Sequence, residues 1–508
     1  MLAKINSFGL SGIDGYVISV EIDIGSGLPG MDIVGLPDTA TKESKERVRS
    51  ALKNSGFRLS PQRITVNLAP ADMRKEGSAF DLPIALGILC ATEQLSCKRT
   101  EDVIFVGELS LNGDIGKVTG ILPIILAAKE RGYRRAVIPS ANADEASYVS
   151  GIDVYAFNNL RDVAAYLEGA EASPVSFRDP AQVVGLKRKS EDLRYVKGQY
   201  AARRAMEIAA AGGHNMLMIG PPGGGKTMLA KCLPSILPDM SAEEMLETTK
   251  IHSVAGMLDG DGIVYYRPFR SPHHTASRIA LTGGGANARP GEVSLAHNGV
   301  LFLDELPEYP RSTLEILRQP VEDGRITVSR AARSVDYPAR FMLVASMNPC
   351  PCGNYGNKNA ECTCTPTQIN KYMSRISGPL LDRIDLHIEV GGVTYDELSS
   401  SDYGECSSDV KARVDEARRI QQVRFAGNGI HCNAQMTNAE VQKYCTIDED
   451  SEKLLRSAFT RLGLSARAYT RILKVARTIA DLDHSDRIFK KHIAEAVQYR
   501  SLDRSRII

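Results

Sequence analysis

The sequence has almost no net charge: 62 Lys and Arg stand against 61 Asp and Glu, leaving +1 over 508 residues. That excludes binding to nucleic acid by bulk positive charge, while a local basic surface inside a balanced protein stays compatible with it. Long hydrophobic runs are missing too. None approaches the roughly 18 consecutive apolar residues of a membrane-spanning helix, so no contact with a membrane is expected. The opening MLAKINSFGLSGIDGYVISVEIDIG has no apolar block and no small-residue cleavage pattern, which speaks against a secretory signal. There is no tryptophan, no internal repeat and no extended low-complexity tract. With 43% hydrophobic and 24% charged residues, wholesale disorder and the collagen and coiled-coil classes are excluded. Ten cysteines without an export signal read as reduced thiols or metal ligands, and the expected location is the cytoplasm.

What is present divides into about three domains, at roughly 150 residues each. Residues 1–170 alternate strand-like runs (Tyr16 to Ile24, Arg63 to Leu68, Val103 to Leu109) with helix-like runs (Asp81 to Gln94, Ile121 to Arg131), as an α/β domain would. Residues 171–195 mix Pro, Ser and charges without apolar periodicity and read as a linker. From 196 to 393, the apolar runs Asn215 to Ile219, Val300 to Leu303 and Phe341 to Ala345 predict buried parallel strands with helices between them. Residues 394–508 show helical spacing and predict a small all-helical domain, with a polar joint at 399–408.

The strongest signal is Gly220-Pro221-Pro222-Gly223-Gly224-Gly225-Lys226-Thr227, placed between the strand-like Met216 to Ile219 and a helix-compatible run. It matches GxxxxGK[ST] in the strand–loop–helix context that the motif requires. In such a loop, backbone N–H groups curl around phosphates at a helix N-terminus, the Lys reaches the β- and γ-phosphates, and the Thr hydroxyl serves Mg²⁺. About eighty residues on, Val300 to Leu303 ends in Asp304-Glu305, a Walker B pattern. Asp304 would hold the Mg²⁺ shell and Glu305 would polarise the attacking water. A third strand ends at Asn348, a candidate sensor of the γ-phosphate. The expected cofactors are ATP and Mg²⁺.

Phosphoryl transfer also calls for positive charge on the departing group, often an arginine from a neighbouring subunit. Arg383, in GPLLDRIDLHI, fits that role, or it makes surface ion pairs with its flanking acids. Arg467, in SARAYTR at the start of the last helical region, fits as well, with Arg471 and Arg477 as competitors. Four cysteines form Cys350-Pro-Cys352 and Cys362-Thr-Cys364 directly after Asn348. They offer a thiolate set for Zn²⁺, although C-x-C is tighter than the usual spacing and a metal-free loop is the alternative. His273 and His274 read as loop histidines. The other cysteines, such as Cys90 and Cys232, read as packing residues.

The phosphate loop, the DE strand end, the Asn strand end, LLDRID and SARAYTR together resemble AAA+ ATPases. The resemblance is closest to the magnesium-chelatase-like ComM/YifB family, through stretches such as GLPGMDIVGLPDTATKESKERVRSALKNSGF, RPFRSPHHTASRIALTGGG and ISGPLLDRIDLHIEV. It covers essentially the whole chain. It implies an α/β P-loop AAA+ module with a parallel sheet and a C-terminal helical lid, preceded by an α/β domain like that of Lon protease and ribosomal protein S5. It also implies an ATP-driven homo-oligomeric ring, a hexamer, working on branched or single-stranded DNA as a branch-migration helicase in recombination and natural transformation. Arg325, Arg330 and Arg333 fall in a segment resembling the presensor-1 hairpin, where arginines track phosphates in a pore; the alternative is a solvated hairpin making subunit contacts. The insertion Arg278 to Gly291 is glycine-rich enough for a mobile pore loop. Residues 451–508 carry 13 basic against 6 acidic side chains, so DNA contact is expected at the pore and lid.

Two rival activities share parts of this pattern. A chelatase motor driving Mg²⁺ into a porphyrin would use the same nucleotide site, but chelatase motors lack the N-terminal domain. A Lon-like protease needs a Ser–Lys pair. Ser78 falls at the expected Ser, whereas Leu122 and Pro123 occupy the region of the expected Lys, and Lys129 lies two helical turns further on. A hydroxyl without a base is a weak nucleophile, so Ser78 reads as a helix cap or turn residue.

Overall fold

The computed structural model describes residues 2–500 except 60, 184–189, 259, 286–287, 331–332, 358–359, 393–394, 396–398 and 400–402. Its first sheet grows from Leu2–Ser11 and Asp14–Gly25, which pair antiparallel around a turn at Gly12. Seven strands line up in the order Gly30–Val34, Arg63–Ala69, Asp14–Gly25, Leu2–Ser11, Val103–Phe105, Arg135–Pro139, Asp153–Phe157. The helix Asp81–Ala91 is apolar on nearly every side and fully buried, as an enclosed helix must be. The run Val103 to Leu109, read as one strand, is broken after Phe105. Gly107 donates its N–H to Ala79 and accepts from Leu82, so the approach to the buried helix takes the backbone bonds that a continuous strand would need.

The second sheet is wholly parallel, in the order Phe269–Arg270, Val300–Leu303, Met342–Met347, Met216–Ile219, Leu386–Glu389. No residue of Val300–Leu303, Met342–Met347 or Met216–Ile219 is exposed, the pattern of strands covered on both faces. Because these three are neighbours running the same way, the phosphate loop, Asp304-Glu305 and Asn348 leave the sheet along one edge. This is where open α/β sheets bind ligands.

The helices Ser407–Arg424, Glu449–Leu462, Ala466–Leu482 and Lys490–Gln498 share one apolar cluster with the helix Tyr200–Gly212, which precedes the phosphate-loop strand. A polar seam reinforces this contact. Arg471 pairs with the Asp385 carboxylate and donates 3.1 Å to the Arg383 carbonyl, while His214 Nε2 meets Thr478 Oγ1 at 2.8 Å. Burial would raise Asp385, but Arg471 and His214 outweigh it and hold its carboxyl far below the ordinary range. Residues 393 and 394, read as the boundary between motor and lid, lie outside the described residues.

The N-terminal domain meets the phosphate-loop domain at several places: the Tyr148 hydroxyl donates 3.3 Å to the Asp261 carbonyl, and Tyr148 packs in one apolar cluster with Met240, Met245 and Ile263. The Gly120 N–H donates 3.2 Å to the Ser253 carbonyl, and the Ser253 hydroxyl donates to the buried Glu145 carboxylate, which also accepts from the Leu122 N–H at 2.8 Å. Farther along, the turn at Gly12 rests on the hairpin Arg325–Arg330/Arg333–Pro338: a Cβ at Gly12 would stand 2.2 Å from Val335 Cγ1. The hairpin's buried face is Ile326, Val328, Val335 and Tyr337; Thr327, Ser329, Ser334 and Asp336 are exposed on the other. Arg325 is exposed at its base, and the side chains of Arg330 and Arg333 lie outside the described residues. The described residues of the glycine-rich insertion carry local structure, and residues 286 and 287 lie outside them. Arg278–Thr282 is a helical turn capped by Ser277, Gly283–Gly284 pairs with Arg289–Pro290, and the Tyr337 hydroxyl donates 2.8 Å to the Ala288 carbonyl.

Candidate active site

Pro222 to Met228, Asp304, Glu305, Ser346, Met347 and Asn348 line one cavity of about 400 Å³. Gly225, at φ +81°, turns the chain into the helix Lys226–Cys232 with a backbone that L side chains rarely adopt. Lys226 is buried, and its Nζ donates to the carbonyls of Gly220 (2.7 Å) and Pro221 (2.8 Å) and to Asn348 Oδ1 (3.2 Å). Burial lowers its pKa, partly opposed by Asp304 and Glu305. An ammonium held by neutral oxygens has no full counter-charge in contact, so it fits the phosphate that the loop is shaped to take.

The Thr227 hydroxyl donates 2.8 Å to Asp304 Oδ2, bringing together the two groups that Mg²⁺ would share. Ser346, two residues before Asn348 and therefore on the same side of its strand, donates to Asp304 Oδ1. Glu305 takes a left-handed backbone, φ +53°, uncommon for a residue with a Cβ, and its carboxylate lies 3.4 Å from His274 Nδ1. The His274 ring in turn lies against His273, with centroids 4.1 Å apart, and edge-on to Tyr309. The hydroxyl of Tyr309 is pushed up by burial and by the two carboxylates. The residues present therefore fit ATP with Mg²⁺: a glycine-lined cradle, a lysine, a hydroxyl–carboxylate pair and a second, more exposed carboxylate.

The structure thus brings together Lys226, Thr227, Asp304, Glu305 and Asn348. It leaves the arginines outside that cavity. Arg383 is buried, pairs with Glu322, donates 2.7 Å to the Pro379 carbonyl, and lines a separate cavity with Glu315, Arg318, Gln319, Glu322 and Asp323. Its ion pair with Glu322 reaches across to the helix Arg318–Asp323. Arg467 is exposed in the first turn of Ala466–Leu482. The competitors have other work: Arg471 joins lid to motor, and Arg477 is buried against Asp481 and the carbonyls of Ser485 and Asp486. Ser346 and His274 are site residues that the sequence reading passed over. The alternation leading to Asn348 pointed to the first; His274, dismissed as a loop residue, reaches Glu305 from the loop after Phe269–Arg270 with no periodic signal.

In the N-terminal domain, the Ser78 hydroxyl donates to the Glu108 carboxylate. It caps no helix, since the N-cap of Asp81–Ala91 is Phe80, but it is a turn residue, its carbonyl accepting from the Asp81 N–H at 3.1 Å. Leu122 is fully buried in an apolar cluster, and no Lys is paired with Ser78 among the described residues. The sulfurs of Cys350, Cys352, Cys362 and Cys364 all lie within 4.8 Å of one another. Among the described residues no helix is long and apolar enough to cross a membrane.

Family models agree with this architecture. Residues 192–398 match the magnesium chelatase subunit ChlI model and 404–500 its C-terminal model; residues 20–142, in the N-terminal domain that chelatase motors are expected to lack, match a second model of the same subunit, so that domain does not set the chelatase reading aside. YifB of Salmonella typhimurium is 46% identical over 508 residues, 99% of this chain and 98% of that protein. Competence protein ComM of Haemophilus influenzae is 46% identical over 507 residues, again 99% and 98%. Lon protease 2 of Bacillus subtilis is 30% identical over 123 residues, 24% of this chain and 22% of that protein. The fold is accordingly a P-loop AAA+ module with a helical lid behind a Lon-like α/β domain. With identity of this order running through all three parts of its length, the chain belongs to the ComM/YifB family of magnesium-chelatase-like AAA+ proteins.

Proposed function

We propose that this protein is an ATP-hydrolysing ring motor acting on DNA, a branch-migration helicase serving recombination or transformation. The observation that carries the ATPase reading is the convergence of Lys226, Thr227, Asp304, Glu305 and Asn348 on one cavity. Mg²⁺ there would neutralise charge on the β- and γ-phosphates. Lys226 would exchange carbonyl oxygens for phosphate oxygens, Asp304 and Thr227 would hold the metal shell, and Glu305 would take the proton of the attacking water. Asn348, bonded to Lys226, would feel the γ-phosphate from the adjacent strand.

No arginine is among the residues lining that cavity. This favours a ring, a hexamer by family likeness, in which Arg383 of a neighbouring copy completes each site, with Arg467 as the lid's contribution. Arg383 would have to exchange Glu322 for phosphate. Mixing Arg383→Ala with Lys226→Ala subunits tests this: restored hydrolysis is expected, and a mixture as inactive as its components under conditions of subunit exchange removes the role. DNA as substrate is supported by the competence name of the Haemophilus relative, the hairpin carrying Arg325, Arg330 and Arg333, and the basic last 58 residues. ATPase rate with and without branched DNA is the decisive measurement; a rate indifferent to DNA sinks the DNA reading.

The match to magnesium chelatase models supports a second reading, a motor for porphyrin metallation. A metallation assay separates the two. Proteolysis has no support in the corner around Ser78. Besides Mg²⁺, the four-cysteine cluster would carry Zn²⁺.

A further inference from the structure

Cys350, Cys352, Cys362 and Cys364 sit on the segment between Asn348 and the helix Pro366–Met373. Their Sγ separations include 3.3 Å (Cys350–Cys352), 3.6 Å (Cys350–Cys362) and 3.6 Å (Cys352–Cys362). Four thiolates around Zn²⁺ at about 2.3 Å stand about 3.8 Å apart, close to these three separations, and all four sulfurs lie within 4.8 Å of one another, a set compact enough to close on the ion. Backbone N–H groups already point at the sulfurs, Tyr355 to Cys350 at 3.3 Å and Cys352 to Cys364 at 3.4 Å, which suits thiolate charge. The C-x-C spacing is not an obstacle, because the two pairs lie close enough together for all four sulfurs to be within 4.8 Å of one another.

The cluster also touches the nucleotide site. Gly353, next to Cys352, packs so closely on the phosphate loop that a Cβ there would lie 2.5 Å from Pro222 Cδ. On its other side, Cys350 follows Asn348, the residue bonded to Lys226, by two positions. We infer that a Zn²⁺ in this tetrathiolate site is a positioning element for the phosphate loop, pressing Gly353 against Pro222 and fixing Asn348, so that metal loading sets nucleotide affinity. The inference rests on the nucleotide-binding reading above and on Zn²⁺ in the cluster.

The test uses the full chain purified without chelator. Mass spectrometry of metal content should find one Zn²⁺ per chain, and Co²⁺ substitution should give the visible absorption of a tetrahedral thiolate site. Removing the metal with a chelator in the presence of reductant should weaken binding of a fluorescent ATP analogue about ten-fold, and one equivalent of Zn²⁺ should restore it. Cys362→Ser with Cys364→Ser, distant from Asn348 in sequence, should show the same loss with helix content by circular dichroism unchanged. Gly353→Ala should weaken binding while retaining Zn²⁺, because its Cβ displaces Pro222 without removing a ligand. Absence of zinc, or equal nucleotide affinity in loaded and stripped protein, overturns the inference. Wild-type affinity in Gly353→Ala removes Gly353–Pro222 as the route. If the zinc-loaded protein itself binds no nucleotide, it is the nucleotide-site reading that has failed.

Discussion

The nucleotide cavity and the corner around Ser78 are both places where a sequence motif announces chemistry, and they differ in whether the partners arrive. At the cavity, three adjacent parallel strands deliver a lysine, two acids and an amide to one edge, and the side chains already touch: Thr227 with Asp304, Lys226 with Asn348. Around Ser78, the hydroxyl faces a carboxylate, and the position of the expected base is filled by buried Leu122. A carboxylate partner with no lysine leaves the hydroxyl a structural hydrogen bond. A motif residue acquires a reaction only from the groups that the fold aims at it.

The contrast can be broken most sharply at Lys226. Lys226→Ala should cut ATP turnover about a thousand-fold while circular dichroism stays unchanged, since the ammonium acts on developing phosphate charge. Undiminished turnover would make the cavity as inert as the Ser78 corner. Glu305→Gln should reduce turnover by about a hundred-fold or more yet preserve ATP binding, because the amide keeps the shape and loses the base; equilibrium binding beside steady-state hydrolysis distinguishes the two effects. Ser346→Ala deprives Asp304 of a charge-assisted hydrogen bond and should raise the Mg²⁺ concentration for half-maximal turnover about ten-fold. Smallest of all, Ser78→Ala should leave hydrolysis untouched and change stability by about 1 kcal/mol or less in urea unfolding. Peptide cleavage lost on that substitution would instead place a second active site in the N-terminal domain.

The legible parts of this protein were those whose signal is local. The phosphate loop is eight consecutive residues, and the acidic and amide strand ends each close an apolar run, so strand, loop and role are read together. The paired cysteines are visible for the same reason, whereas the mutual approach of the two pairs is set by tertiary structure and has no local signal. His274 escaped because a two-residue strand followed by a loop has no periodicity, and only tertiary structure carries it to Glu305. Arg383 reads either as an arginine supplied to a neighbouring subunit or as an ion pair with its flanking acids; the pairing with Glu322, 61 residues earlier, is set by tertiary structure and has no local signal. Val103 to Leu109 looked like a single strand because its composition is uniformly strand-like; the interruption comes from backbone bonds to residues near 80.

Gly12 lies more than three hundred residues before Val335, yet no side-chain atom fits between them. A hairpin resting on that turn is not free to swing independently of the sheet that supplies it. Displacement of the hairpin's base would press on that turn, and bulk added at position 12 would act as a wedge between Val335 and the turn, far from Lys226 and Asp304 in the sequence.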